Sequence, residues 1–265
     1  MKRGFKIAIG GKGGVGKTTV CALLAELLSL DGFDVLAIDA DSDPNLASAL
    51  GISADKNPVP LIEMKDLIKE RTGAEPGTVG QYFKLNPEIS DLPAKYCVKA
   101  NGVKLLSLGG IENAGSGCAC PEGAFLKALL GYSLLHSNEV VVVDLAAGLE
   151  FMGRACVRGI DAMIVVVEPG ARSIETATNI AKMSTQLGIP HIGAFINKVT
   201  DEGQAEAVKS QLGDIEVFGS YGYDASVQAA DLTRSAAMDA SEELVNELRK
   251  VKETMMESFF VEYIK

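Results

Sequence analysis

The chain has 265 residues, 47% of them hydrophobic, and a formal net charge of −10. That length suits one large α/β domain with an ample core, while the acidic balance and the lack of any Lys/Arg cluster argue against a surface built to neutralise nucleic-acid phosphates or anionic lipid. No apolar run reaches the roughly 18 residues that a bilayer span needs, and the short run behind Met1-Lys2-Arg3-Gly4 does not make a signal peptide, so a cytoplasmic protein with no membrane or nucleic-acid partner is expected.

The apolar run Phe5–Ile9 leads directly into Gly10-Gly11-Lys12-Gly13-Gly14-Val15-Gly16-Lys17-Thr18-Thr19, and a helix-patterned segment over 17–30 follows. Strand, glycine-rich turn and helix in that order are the context of a phosphate-binding loop. Gly11, Gly13, Gly14 and Gly16 let the backbone turn its N–H groups inward around a chain of phosphates at a helix N-terminus. The stretch Gly11, Lys12, Gly13, Gly14, Val15, Gly16, Lys17, Thr18 and Thr19 is therefore the candidate ATP/ADP site, with Lys17 directed to the β and γ phosphates and the Thr18 hydroxyl to Mg²⁺. Gly11, Gly13 and Gly16 also satisfy the dinucleotide pattern GxGxxG, with Asp39 near the distance of a ribose-binding acid. Lys17-Thr18 and a second acid further on, Asp144, decide for the triphosphate.

Val35–Asp39 reads as the second strand, and three acids, Asp39, Asp41 and Asp43, stand at or just past its end. From about residue 51 to 101 the alternation of strand and helix breaks. That interval holds Pro58, Pro60, Pro76, Pro87 and Pro93, five of the chain's nine prolines, and reads as a loop-rich insertion of short helices on the sheet within a single domain spanning 1–265.

Five cysteines in an acidic chain point to thiols rather than a disulfide framework. Cys21 and Cys156 read as small buried hydrophobes, and Cys97 as inert or a ligand. Cys118 and Cys120 stand one residue apart, so in an extended segment both sulfurs point to the same side. Alone, such a pair is a redox couple, an accident or one arm of a metal site. Thiolate-held ions usually take four ligands, and a two-fold axis that joined two such pairs would supply them.

Val140–Val143 is an uninterrupted β-branched run of the kind found in buried parallel strands, closed by Asp144 as the natural carboxylate partner for Mg²⁺. Strand and helix patterns then alternate through Ala162–Glu168, Ser173–Leu187, Ile192–Asn197 and Glu202–Leu212. The whole predicts an α/β, doubly wound and mostly parallel sheet with helices on both faces. From Ser241 to Lys265 the residues Leu244, Leu248, Val251, Met255 and Phe259 recur at helical spacing, predicting one amphipathic helix capped by Ser241 and packed on the sheet.

The form GKGGVGKT, with Lys12 two places after its opening glycine, resembles the deviant phosphate loop of the MinD and nitrogenase-iron-protein branch of P-loop ATPases. The resemblance implies a homodimer that closes face to face over its nucleotides, with Lys12 reaching the partner's phosphates. It implies that Ile38–Asn45 is a switch in which an aspartate orients the attacking water; Asp41 aligns best by spacing, while Asp43-Pro44 mimics an Asp-Pro of some relatives and Asp39 is left to Mg²⁺ or a cap. It implies too that the Asn197 amide, next to Lys198, reads the adenine edge, with Tyr221 to Asp224 on the other side of the base.

Cys118-Ala119-Cys120-Pro121-Glu122, Asp144-Leu145-Ala146-Ala147-Gly148-Leu149-Glu150, and Val167-Glu168-Pro169 followed by Arg172–Ala177 narrow the likeness to the CooC-type accessory ATPases of carbon monoxide dehydrogenase and of acetyl-CoA synthase. What that family implies is a slow ATP hydrolase with Lys12, Lys17 and Asp41 at the reaction, Thr18, Asp39 and Asp144 around Mg²⁺, and nickel, or zinc, on the interfacial thiolates of Cys118 and Cys120. Its client would be a nickel–iron–sulfur enzyme. Two other readings share the loop: a dimeric ATPase carrying an iron–sulfur cluster, with Cys97 joining Cys118, and a positioning ATPase of the MinD/ParA kind.

Overall fold

The computed structural model describes residues 4–77, 81–109, 121–131, 138–147 and 159–263. Strands β1 (Phe5–Gly11), β2 (Asp34–Ala40), β5 (Glu139–Leu145), β6 (Ala162–Val167) and β7 (His191–Val199) form the parallel centre of an eight-stranded sheet. It is completed by β3 (Val98–Ala100) and β4 (Val103–Ser107) at one edge and β8 (Glu216–Gly222) at the other, in the order β3-β4-β2-β5-β1-β6-β7-β8. All pairings are parallel except β3 with β4.

Helices cover both faces, which is why the middles of the central strands are apolar at consecutive positions rather than at alternate ones. Ile7, Ile9, Val140, Val142, Ile164 and Val166 enter one core beneath α1 (Lys17–Leu30). Ala8, Val141, Val143, Met163 and Val165 enter the other, under α3 (Lys65–Thr72), α5 (Pro121–Leu130), α6 (Ala171–Gln186) and α7 (Glu202–Leu212). Between β2 and β4 lie α2 (Leu46–Ala49), two 3₁₀ turns, α3 and α4 (Leu92–Tyr96). Their Leu46 packs into the first core and their Leu61, Leu67, Ile68 and Leu92 into the second. Arg71 grips both carboxylate oxygens of Asp91 at 2.9 and 2.7 Å, a fork-to-fork pair that ties α3 to the start of α4.

Three strands carry no clear apolar pattern. In β4, Lys104 interrupts the run and reaches Asp34 Oδ2 at 2.7 Å, β3 has three residues, and β8 is an edge strand in which Phe218 alone is buried. The C-terminal helix follows the expected periodicity but ends early. After α8 (Ala225–Thr233), α9 runs Glu242–Phe259, with Ser241 Oγ accepting from Leu244 N at 3.4 Å, and stops six residues short of Lys265. Phe260 leaves the helix because its ring stacks on Phe5 at 4.2 Å between centroids, inside an aromatic group with Phe33 and Tyr263. Lys252, otherwise buried, gives its ammonium to Asp31 at the end of α1. No helix among the described residues is long and apolar enough to cross a membrane.

Leu248 lies on the sheet side of α9 with no exposed surface, and its neighbour Arg249 faces solvent. Leu248→Ala is expected to lower the unfolding free energy by about 3 kcal/mol through lost transfer energy and a residual cavity, whereas Arg249→Ala stays within about 0.5 kcal/mol; urea denaturation of the two variants checks the difference.

Candidate nucleotide site

The carboxyl ends of β1, β2, β5, β6 and β7 meet along one edge of the sheet, where an open α/β sheet gathers its ligand-binding loops. The loop after β1 passes so close to β6 that a Cβ at Gly11, where φ is +149°, would stand 2.4 Å from the Val166 carbonyl oxygen. Gly16 begins α1 in the left-handed region at φ +98°, and a Cβ there would meet the Asn197 amide at 2.6 Å. Both close approaches require glycine. Val15, fully buried, anchors the loop to the core.

Three donors, one from the loop itself and two from β7, hold the loop's carbonyls. The Lys17 ammonium donates to the Lys12 carbonyl at 3.2 Å, Asn197 Nδ2 to that of Val15 at 2.9 Å, and the Lys198 ammonium to that of Gly14. With its carbonyls engaged in this way, the loop is biased to present N–H groups to a ligand, and the first turn of α1 adds N–H groups that have no intrahelical acceptor. Lys198 is one of three non-glycine residues with positive φ among those described, at +59°. That backbone kink near the end of β7 turns both Asn197 and Lys198 toward the loop. The Asn197 carbonyl oxygen accepts from Lys198 N at 3.0 Å, so each end of the amide predicted to read a base is bonded to backbone here.

Asp39 and Asp144 sit opposite one another at the ends of adjacent strands β2 and β5, each 1% exposed. Their surroundings differ. Asp39 accepts from Leu46 N at 2.9 Å and Asp41 N at 3.2 Å, capping α2 and shaping the turn after β2. Neither oxygen of Asp144 makes a well-formed hydrogen bond, although the Thr18 hydroxyl stands close enough to pull on it. Burial, and then the charge of Asp39, push the Asp144 carboxyl up to about 7, against the pull of the Thr18 hydroxyl and the Lys17 ammonium. Burial likewise raises Asp39 to about 6, although the two backbone N–H bonds oppose it. A buried carboxylate without a well-formed hydrogen bond is costly unless protonated or met by a cation. Asp144 thus fits a divalent ion held jointly with the Thr18 hydroxyl, and oxygen donors of this kind suit Mg²⁺. Asp41 is half-buried on the loop after β2, accepting from Asp43 N at 3.1 Å, and Asp43 is exposed beside it.

A cavity of about 460 Å³ opens beside the loop. Gly14, Gly16 to Val20, Asn45, Asn197 and Lys198 form its phosphate-loop side, and Tyr221 to Asp224, Val227, Gln228 and Asp231 its far wall. Within that wall the Tyr221 hydroxyl donates to Asp224 Oδ2 at 2.6 Å and lies 2.9 Å from Ser241 Oγ, so β8, α8 and the cap of α9 are joined at the cavity. Lys12 projects from the loop and pairs with Glu168 at 3.6 Å. Glu168 was not among the candidate residues; its place directly after an apolar strand, next to the loop strand in the sheet, was the available signal. Cys118, Cys120, Glu150 and Cys156 lie outside the described residues. Cys21 is buried and Cys97 half-buried, and among the described residues no group of three or more His, Cys, Asp or Glu side chains is arranged to hold a metal.

The raised carboxyls have a direct consequence for stability without nucleotide. An unfolded aspartate titrates near 3.9, so from about pH 4 to 7 the folded chain keeps a proton at Asp144 that the unfolded chain has released. Stability from this group is complete below pH 4 and is lost as pH rises through 7. Asp144→Asn removes the loss: the nucleotide-free variant should be about 4 kcal/mol more stable than the parent at pH 8 and no more stable at pH 4, as read by urea denaturation at both pH values.

Residues 6–236 match the family model described as the CobQ/CobB/MinD/ParA nucleotide binding domain. Among curated proteins, the chain is 41% identical to the carbon monoxide dehydrogenase accessory protein CooC of Rhodospirillum rubrum, over 89% of this chain and 90% of that one. It is 40% identical to an ATP-binding protein of Methanocaldococcus jannaschii, over 94% of this chain and 100% of that one. Among solved structures, the septum site-determining protein MinD of Pyrococcus horikoshii, complexed with Mg-ADP, superposes with a TM-score of 0.68 at 18% identity, covering 100% of both chains; at that identity the likeness concerns the fold. With its eight-stranded, mostly parallel sheet and phosphate loop, the chain belongs to the CobQ/CobB/MinD/ParA nucleotide-binding family, as a CooC-type P-loop ATPase of the MinD/ParA branch.

Proposed function

We propose that this protein is a nucleotide-switched homodimer that carries nickel, and also accepts zinc, between two copies of Cys118 and Cys120 and delivers nickel to a nickel–iron–sulfur enzyme, carbon monoxide dehydrogenase or a relative. The observation that carries the ATP-dependent half is the buried carboxylate of Asp144, without a well-formed hydrogen bond, beside Thr18 and Lys17. A charge buried in this way would be met by a cation, next to a loop prepared for phosphates. The delivery half is supported by the similarity to the R. rubrum accessory protein and by the CxC pair, which alone supplies two of the four sulfurs that a thiolate site favours.

In this reading ATP enters along the cavity with its phosphates on the N–H groups of the loop from Gly11 to Thr19. Lys17 leaves the Lys12 carbonyl for the β and γ phosphates, a short swing of an ammonium that is already buried at the loop. Thr18 and Asp144 would hold Mg²⁺, with Asp39 behind them. Bound there, the ion would supply positive charge that offsets the charge developing on the phosphates in the transition state. Asp41, on the loop after β2, orients the attacking water, and Lys12 of each subunit stabilises charge on the other's phosphates. The base lies toward Asn197, Lys198 and Tyr221 to Asp224. Closure fixes the distance between the two thiolate pairs, so ATP and the metal each tighten binding of the other through the same association step. Turnover is slow because nucleotide occupancy, rather than hydrolysis rate, sets the state of the switch.

Titration with nickel in the presence of ATP or of ADP tests the reading, with sedimentation velocity run on the same samples. Expected is one nickel per dimer, at least ten-fold tighter binding with ATP, and loss of that binding in Cys118→Ala/Cys120→Ala; equal affinity and equal dimer fraction with both nucleotides reject it. Lys12→Ala should keep ATP binding to the single subunit within a few-fold while lowering hydrolysis by about 10²-fold or more, in line with loss of a group that stabilises transition-state charge. Filter binding and phosphate release measure the two effects separately.

A further inference from the structure

Glu168 has no assigned task, yet its carboxylate stands at the edge of a site that must accept a triphosphate. The turn that carries it is firmly made. Glu168 N donates to the buried Ser173 Oγ at 3.1 Å, Pro169 fixes the next φ, and Ser173 N and Ile174 N both return to the Gly170 carbonyl. β6 is hydrogen-bonded to β1 with Gly11 opposite Val166, so the turn after β6 lies alongside the start of the phosphate loop. Across this gap Glu168 Oε1 meets Lys12 Nζ at 3.6 Å, with the two side chains 27% and 41% exposed. Lys12 is held at two points: its carbonyl by Lys17 and its ammonium by Glu168.

A free carboxylate in that place would repel the phosphates, so its effect depends on what Lys12 is doing. We infer that Glu168 is a positioning residue for Lys12: in the free subunit it holds the ammonium in cis over its own loop, and release of this ion pair is a step in closing the dimer. The inference rests on the dimeric reading given above and adds to it a threshold for closure. Lys12 cannot remain paired with Glu168 at 3.6 Å and also extend to the partner's phosphates, so each closing subunit exchanges a carboxylate for a phosphate. The triphosphate, with more negative charge than the carboxylate, wins that exchange, whereas a diphosphate without its γ group offers Lys12 less. The pair thereby makes closure depend more steeply on the γ-phosphate.

Partly exposed ion pairs of this sort are worth about 1.4- to 5-fold each in an equilibrium constant; two are released when a symmetric dimer closes. The test is the dimer dissociation constant at saturating Mg·ATP, by sedimentation velocity, for the full chain with Glu168, Glu168→Gln and Glu168→Asp. Expected is about ten-fold tighter association for Glu168→Gln, shrinking toward the parent value at about 0.5 M salt, where such charges are screened, and a value within about two-fold of the parent for Glu168→Asp, which keeps the charge beside the loop. A merely structural role would weaken association in both variants and show no such salt dependence. Unchanged or weaker association of Glu168→Gln, in a parent chain that does dimerise with ATP, overturns the inference and leaves the dimeric ATPase standing. A parent chain that remains a single subunit with ATP overturns both.

Discussion

Two carboxylates buried side by side at the ends of neighbouring parallel strands set the terms for everything around them. Asp39 and Asp144 are brought together by the β2–β5 register, and each is almost fully removed from water. Asp39 is compensated by the backbone N–H groups of Leu46 and Asp41, but Asp144 is not, and its raised affinity for a proton is the mark of an uncompensated charge. The strain is local and serves the site: a fold that buries one acid without a well-formed hydrogen bond favours the arrival of a cation, and here the arrangement places that cation next to a loop that binds the phosphates a divalent ion accompanies.

The phosphate loop solves the complementary problem. A turn rich in glycine has many accessible conformations, and freezing one of them costs entropy. Packing of Val15, close contact of Gly11 with β6 and of Gly16 with Asn197, and donors from Lys17, Asn197 and Lys198 restrict it before any ligand binds. Two of those donors come from the end of β7, four strands away from β2 across the sheet, so the loop is held from the side opposite the acids. Lys198 and the Asn197 amide stand on the β7 flank of the loop, and the buried Asp39 and Asp144 on the β5–β2 flank.

Lys12 differs from the other lysines of the site because it points outward from the loop and is engaged by Glu168 rather than by a carbonyl. A charge held at the rim, by a partner that can be exchanged, is suited to a role between subunits, whereas Lys17, buried against the loop, is suited to a role within one. The metal-binding pair is expected to use the same symmetry, since two thiols complete a four-sulfur shell only when doubled.

The central strands, α1 and α7 were legible in the sequence because they obey periodicities that burial enforces: Lys17–Leu30 and Glu202–Leu212 have the predicted bounds, and β1, β2 and β5 extend theirs by one or two residues. The glycine-rich turn between β1 and α1 and the place of Asp144 at the end of β5 were legible because both follow uninterrupted apolar runs. The strands β3, β4 and β8 were not, since they are short or lie at sheet edges, where only one face or one neighbour constrains the residue type. The end of α9 escaped as well, for Phe260 satisfies helical spacing but gains more by stacking on Phe5, a contact 255 positions away along the chain. By itself the sequence determined the central strands, the longer helices and the chemical groups, because their helix, strand and loop preferences are local. The partners of those groups, Asp39 beside Asp144, Asn197 and Lys198 on the loop carbonyls, Glu168 on Lys12, were decided by the tertiary structure alone, because strand order and register, which follow from packing the whole core, choose which strand ends become neighbours.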